Sequence, residues 1–199
     1  MSSEAAAVAS FAVPTAGQMR ALGRSLAGLL RAGDLIILSG GLGAGKTTLT
    51  QGIGDGLGVR GPVTSPTFVI ARVHPPASGA AAGAGGPGEV SPALASPALA
   101  SPRPSLVHAD AYRLGSSLEL DDLDLDTDTA AAVTVVEWGE GLAEGLAADR
   151  LEITITPQPG NGGDLADPPA DLPRMVRISA VGTRWQGVQL PLASPADRL

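Results

Sequence analysis

Cysteine is absent from all 199 residues, which removes disulfides, thiolate metal sites and cysteine nucleophiles in one step. Long apolar runs are also missing. The longest unbroken ones fall well short of the roughly 20 residues that span a bilayer, and Met1-Ser2-Ser3-Glu4 has no basic segment of the kind that opens a signal peptide. The expectation is a soluble, cytoplasmic protein with no membrane association. Lysine occurs once, as Lys46, among twelve arginines. That asks what an ammonium does there that a planar guanidinium does not. No run of Lys and Arg exists either, which argues against a self-sufficient nucleic-acid surface.

What is abundant is small. Ala, Gly and Pro make up 77 residues, so the apolar fraction overstates the core, although the larger apolar side chains still exceed the level typical of disordered chains. The length suits a single domain. Acids outnumber bases by twenty to thirteen, yet six of them lie between Glu119 and Asp128, leaving fourteen against thirteen elsewhere. The acidity is local. The Leu/Asp run 118–128 reads as a solvated helix start or loop, its leucines able to bury while its acids stay wet, with docking of a basic partner as the second reading.

Periodicity predicts the element order. Residues 1–10 read as a flexible N-terminus. Thr15 and Gln18 have the spacing of a capping box, and Met19, Leu22, Leu26 and Leu29 then recur at helical intervals. Leu35-Ile36-Ile37-Leu38 is a continuous apolar run, as in a strand buried on both faces of a parallel sheet. A second helix fits 46–57 with Gly58 as its stop. Strands are expected at 67–73, 106–109 and 132–136, a weak helix at 141–148, and two antiparallel strands at 151–156 and 175–180. Between them, 75–104 is almost wholly Ala, Gly, Pro and Ser and reads as a disordered insert; 181–199 reads as a C-terminal extension. The fold class that follows is α/β, a small three-layer domain with a mainly parallel sheet and antiparallel C-terminal strands.

The run Gly40-Gly41-Leu42-Gly43-Ala44-Gly45-Lys46-Thr47 fits the phosphate-binding loop G-x-x-x-x-G-K-[ST] and sits between a buried strand and a helix, the context that motif needs. Its glycines let successive N–H groups turn inward on a phosphate, and the helix N-terminus adds its positive end. Lys46 would reach the β- and γ-phosphates, and the Thr47 hydroxyl would ligate Mg²⁺. Guanine readers usually carry Asn-Lys-x-Asp; here Asn161 is the only Asn and the only Lys is already used. ATP is therefore the expected nucleotide.

Ligands of parallel sheets sit at the carboxyl ends of the strands, where two acids follow apolar runs: Asp110 after 106–109 and Glu137 after 133–136. Either can hold Mg²⁺, directly or through water, or polarise an attacking water. For each the competing reading is a helix cap or an ordinary surface acid. His74 and His108 share no metal-ligand spacing with other groups, and no zinc site is expected.

These motifs taken in order, Gly40 to Thr48, Ser65-Pro66-Thr67-Phe68, His108-Ala109-Asp110-Ala111-Tyr112-Arg113 and Val136-Glu137-Trp138, resemble the bacterial TsaE (YjeE) family over residues 14–180 without the insert. The resemblance implies a small P-loop NTPase-type ATPase that acts with TsaB and TsaD in making N6-threonylcarbamoyladenosine at tRNA adenosine 37, meeting tRNA only through that complex. It further implies that Asp110 and Glu137 complete a Mg-ATP site and that Thr67 senses the γ-phosphate, against the plainer reading of 64–68 as a turn entering a strand. Catalysis falls to Glu137, Asp110 and Lys46, with Thr47, Glu137 and Asp110 as metal ligands. The expected nucleotide contacts are Gly40, Gly41, Leu42, Gly43, Ala44, Gly45, Lys46, Thr47 and Thr48, joined by Thr15, Thr67 and Trp138; a core position for Trp138 is the competing reading. One departure stands out: the family usually has Asp or Glu at the loop's second position, where this chain has Gly41. Its absence relieves repulsion of the phosphates and removes a group able to orient Mg²⁺ or water. Two other readings share the loop: a small-molecule or nucleotide kinase, which normally brings several lid arginines where the insert offers only Arg103, and a non-hydrolysing nucleotide-dependent binder.

Overall fold

A continuous apolar segment, Leu35–Ser39, forms the buried strand around which the rest is arranged. In the computed structural model, which describes residues 5–66, 70–77, 103–114, 131–157 and 173–191, the elements run β1 (Ala5–Val13), α1 (Ala16–Ala27), β2 (Leu35–Ser39), α2 (Lys46–Leu57), β3 (Ala71–His74), β4 (Ser105–Asp110), β5 (Ala132–Glu137), β6 (Arg150–Pro157), β7 (Arg174–Val181) and a 3₁₀ turn, Thr183–Trp185. The seven strands form one sheet in the order β1-β7-β6-β2-β5-β4-β3. Its four central strands are mutually parallel, and β7, β1 and β3 add antiparallel strands at the two sides. The α/β class with a parallel centre and antiparallel C-terminal strands is the one the sequence predicts.

Alternation along β2 divides the core. Ile36 and Leu38 face Met19, Leu22 and Leu26 of α1 and Leu49 and Ile53 of α2, while Leu35 and Ile37 join Val107, Ala109 and Val136 on the other face. Thr15 caps α1 as its spacing predicts: its hydroxyl accepts from the Gln18 amide at 3.2 Å, and Gln18 accepts from the Thr15 amide at 3.1 Å. Gly58 ends α2 in the left-handed conformation.

Four expectations change. The N-terminus expected to be flexible is strand from Ala5 onward, because β7 supplies an antiparallel ladder from Val181 to Arg174 and Ala9, Phe11 and Val13 alternate inward. The helix expected at 141–148 is a series of turns. Gly139, Gly141 and Gly145 weaken helical propensity there, and the segment closes isolated bonds such as Leu146 N–H to Ala143 O at 3.1 Å; Leu142 and Ala143 cover the sheet face opposite the helices. Strand β3 begins only at Ala71. The C-terminal extension contributes to the core through Trp185 and Leu190, held by Arg184, whose guanidinium donates to both Asp34 carboxylate oxygens at 3.1 and 3.0 Å. Most of the insert, the acidic run and residues 192–199 lie outside the described residues. No helix among the described residues is long and apolar enough to cross a membrane.

Candidate functional site

The loop between β2 and α2 opens where the parallel strands end, as expected for a ligand site in such a sheet. Gly40 and Gly45 have φ of +143° and +108°, values that L side chains rarely adopt, and a Cβ on Gly40 would run into the Ile155 carbonyl of β6. The loop therefore requires glycine at both ends. Gly41 differs. A Cβ there meets nothing within 4 Å, so the fold leaves room for the carboxylate that the family resemblance leads one to expect.

Lys46 is the first residue of α2 and is 5% exposed. Its ammonium donates to the carbonyls of Gly40 at 2.8 Å and Gly41 at 2.9 Å and lies 3.6 Å from the centre of the Trp138 ring, within cation–π range. Burial lowers its pKa below the ordinary lysine value, opposed by the charges of Glu137 and then Asp110. Lys46 is thus a desolvated cation enclosed by backbone dipoles, an aromatic face and two acids.

Parallel pairing delivers those acids. Asp110 and Glu137 are register partners at the ends of β4 and β5, so their side chains project from the same face of the sheet. Asp110 accepts from the Tyr112 amide at 2.9 Å, an Asx turn that orients it. The Thr47 hydroxyl donates to Glu137 at 2.9 Å (Oε1) and 3.2 Å (Oε2). Thr47, Glu137 and Asp110, together with Leu42, Gly43, Ala44, Gly45, Lys46, Thr48, Ser65 and Trp138, line one cavity of about 210 Å³. Two carboxylates and a hydroxyl are hard oxygen donors, the chemistry that suits Mg²⁺. Among the described residues no group of three or more His, Asp or Glu is arranged to hold a metal by itself, so an ion here would need further oxygens from water or phosphate.

Trp138 lies at the mouth and not in the core. It is half-buried, its φ is +60°, and its amide donates to Leu38 O at 2.8 Å. A bulky residue in the left-handed region is strained by about 1–2 kcal/mol; here that turn faces the ring to Lys46, with the exposed Tyr112 ring 5.1 Å away. Thr15 is not among the lining residues; its hydroxyl is engaged in the α1 cap. Thr67 lies outside the described residues, though Ser65 just before it lines the cavity.

Two contributors escape a reading of the sequence. His108, set aside there as a non-ligand, is fully buried with Nε2 at 2.8 Å from Glu137 Oε1; the signal that could have found it is the His-x-Asp spacing, which on a strand puts both side chains on one face. Arg174 of β7 approaches the loop from behind, its Nη2 3.4 Å from Gly43 O. No spacing relates residues so far apart.

Known proteins resemble this chain over most of its length. The family model described as threonylcarbamoyl adenosine biosynthesis protein TsaE matches residues 13–82 and 91–162. The chain is 52% identical over 168 residues to the tRNA threonylcarbamoyladenosine biosynthesis protein TsaE of Streptomyces coelicolor, covering 84% of this chain and 93% of that one. It is 31% identical to the protein of the same name from Bacillus subtilis, covering 85% and 84%. The crystal structure of Bacillus subtilis YdiB superimposes with a TM-score of 0.59 at 25% identity, covering 90% of each chain. With a strand–loop–helix phosphate motif, two register-paired acids and relatives aligned over most of its length, the chain belongs to the TsaE family.

Proposed function

We propose that this protein binds Mg-ATP in the cavity between the phosphate loop and the ends of β4 and β5, and hydrolyses it as the ATPase component, with TsaB and TsaD, of N6-threonylcarbamoyladenosine synthesis on tRNA. The observation that carries the nucleotide reading is the convergence on one cavity of Lys46, Thr47, Asp110 and Glu137. Family membership supports the pathway, and a cytoplasmic location goes with it because tRNA is the eventual target.

In this reading the loop from Gly43 to Thr48 and the α2 N-terminus hold the phosphates, and Lys46 neutralises charge on the oxygens next to the bond that breaks. Thr47, Asp110 and Glu137 would hold Mg²⁺, whose charge would shield the phosphates and offset charge developing in the reaction. Glu137 or Asp110 orients the attacking water. Trp138 covers Lys46 and limits water around it. Loss of the family's carboxylate at Gly41, together with a loop that contains no arginine, makes for slow hydrolysis alone; charge supplied by a partner is worth about 10³ to 10⁵ in rate in related phosphoryl-transfer systems.

The test is calorimetric titration with ATP and Mg²⁺, followed by phosphate release measured alone and with TsaB and TsaD. Micromolar binding and partner-stimulated release are expected. Binding without release under either condition would leave a nucleotide-dependent binder, and label transferred to a small acceptor would make the protein a kinase.

A further inference from the structure

Glu137 is held from two sides, and only one belongs to the phosphate loop. Its Oε1 accepts from Thr47 Oγ1 at 2.9 Å and has His108 Nε2 at 2.8 Å. Because a carboxylate only accepts, Nε2 is the nitrogen that carries the hydrogen. His108 lies in the middle of β4, opposite Val135 of β5 and Arg72 of β3, with no exposed surface. Among the described residues its Nδ1 has no hydrogen-bond partner. A fully buried imidazole with one nitrogen unsatisfied is an expensive way to fill space, since an apolar side chain of similar volume would bury there without that penalty. Among the described residues its one side-chain hydrogen bond is with the acid of the site.

We propose that His108 is a positioning residue that fixes the rotamer of Glu137, so that its carboxylate is presented to Thr47 and the cavity in one orientation. The inference rests on the ATPase reading above only for its kinetic consequence. Glu137 extends from the end of a strand through three rotatable bonds, and Thr47, in the first turn of α2, has two χ1 positions open to it. The imidazole has no such freedom, because it is enclosed on all sides. The rigid member of the triad therefore sets the geometry of the flexible ones. Supporting hydrogen bonds of this kind behind a metal-site ligand commonly matter by 10- to 100-fold in activity or metal affinity.

Three variants separate positioning from packing. In His108→Gln the side-chain amide nitrogen reaches roughly the place of Nε2, in His108→Asn it reaches only that of Nδ1, and His108→Leu keeps the volume without a donor. With ATP, Mg²⁺ and the partners present, His108→Gln is expected to keep turnover within about fivefold of wild type while Asn and Leu lose about tenfold or more, in kcat and not in KM. A readout independent of turnover comes from histidine labelled with nitrogen-15: the His108 Nε2-bound hydrogen should be visible, slow to exchange, and displaced in Glu137→Ala. Leu turning over like wild type, Gln behaving no better than Asn, or no such hydrogen in folded wild-type protein would overturn the proposal. If wild type releases no phosphate with or without partners, the ATPase reading fails, and the spectrum alone then decides the histidine contact.

Discussion

Asp110 and Glu137 are directly paired at the last rungs of β4 and β5, and the Ala111 amide donates to Glu137 O at 2.8 Å just beyond them. Two acids are thereby fixed side by side on rigid strand ends, lining one cavity with a lysine whose charge offsets theirs. Strand ends hold such groups more precisely than loops do, and the predictions follow from that placement.

Lys46→Ala should abolish ATP binding and leave the fold intact. Lys46→Arg should not rescue it, because a longer, planar guanidinium does not reproduce the compact ammonium that donates to both loop carbonyls. Calorimetry showing the Ala variant within about 0.5 kcal/mol of wild type, roughly twofold in affinity, would remove the phosphate-loop assignment.

Glu137→Gln and Asp110→Asn should depress partner-stimulated turnover by about 10²-fold or more, while ATP affinity changes far less, since these groups count most as charge develops in the transition state. Single-turnover phosphate release beside equilibrium binding makes the comparison. Equal losses in both would assign the acids to ground-state binding.

Gly41→Asp should be neutral for stability, within about 0.5 kcal/mol, because its Cβ points into open space. It should raise phosphate release by restoring a carboxylate beside the phosphates. Unchanged melting with unchanged or slower release would show that the missing acid is not what limits hydrolysis.

Arg184→Ala should cost about 3 kcal/mol in chemical denaturation, as expected when one partner of a buried ion pair is removed. Among the described residues, the Asp34 carboxylate would keep only the Arg31 amide at 2.9 Å. ATP affinity should not move, because the pair lies at the start of β2, the opposite end from the phosphate loop. The double variant Asp34→Leu with Arg184→Met should recover most of the loss.

Excising residues 78–102 in favour of a short Gly/Ser link should change stability by less than about 2 kcal/mol, since loop-closure entropy varies slowly with length. The flanks already converge on Gly58: its carbonyl accepts from the Ala77 amide at 2.9 Å, and the Arg103 guanidinium lies against it. Keeping Pro76, Ala77 and Arg103 in the excised protein preserves those contacts. A larger fall in melting would mean the segment packs.

The phosphate loop, both helix caps and the two strand-end acids were legible in the sequence because each is written in consecutive residues. An apolar run makes β2, Thr15 with Gln18 starts α1, Gly58 stops α2, and glycine permits the backbone of Gly40 and Gly45. Only the tertiary structure decided that Ala5–Val13 is a strand, since weak β formers are held there by a ladder with β7, more than 160 residues away. It also decided that Trp138 faces Lys46, that Arg174 backs the loop and that His108 holds Glu137. Those choices depend on register between strands that are distant in the chain, which is set by packing of the whole sheet and leaves no mark within any one segment.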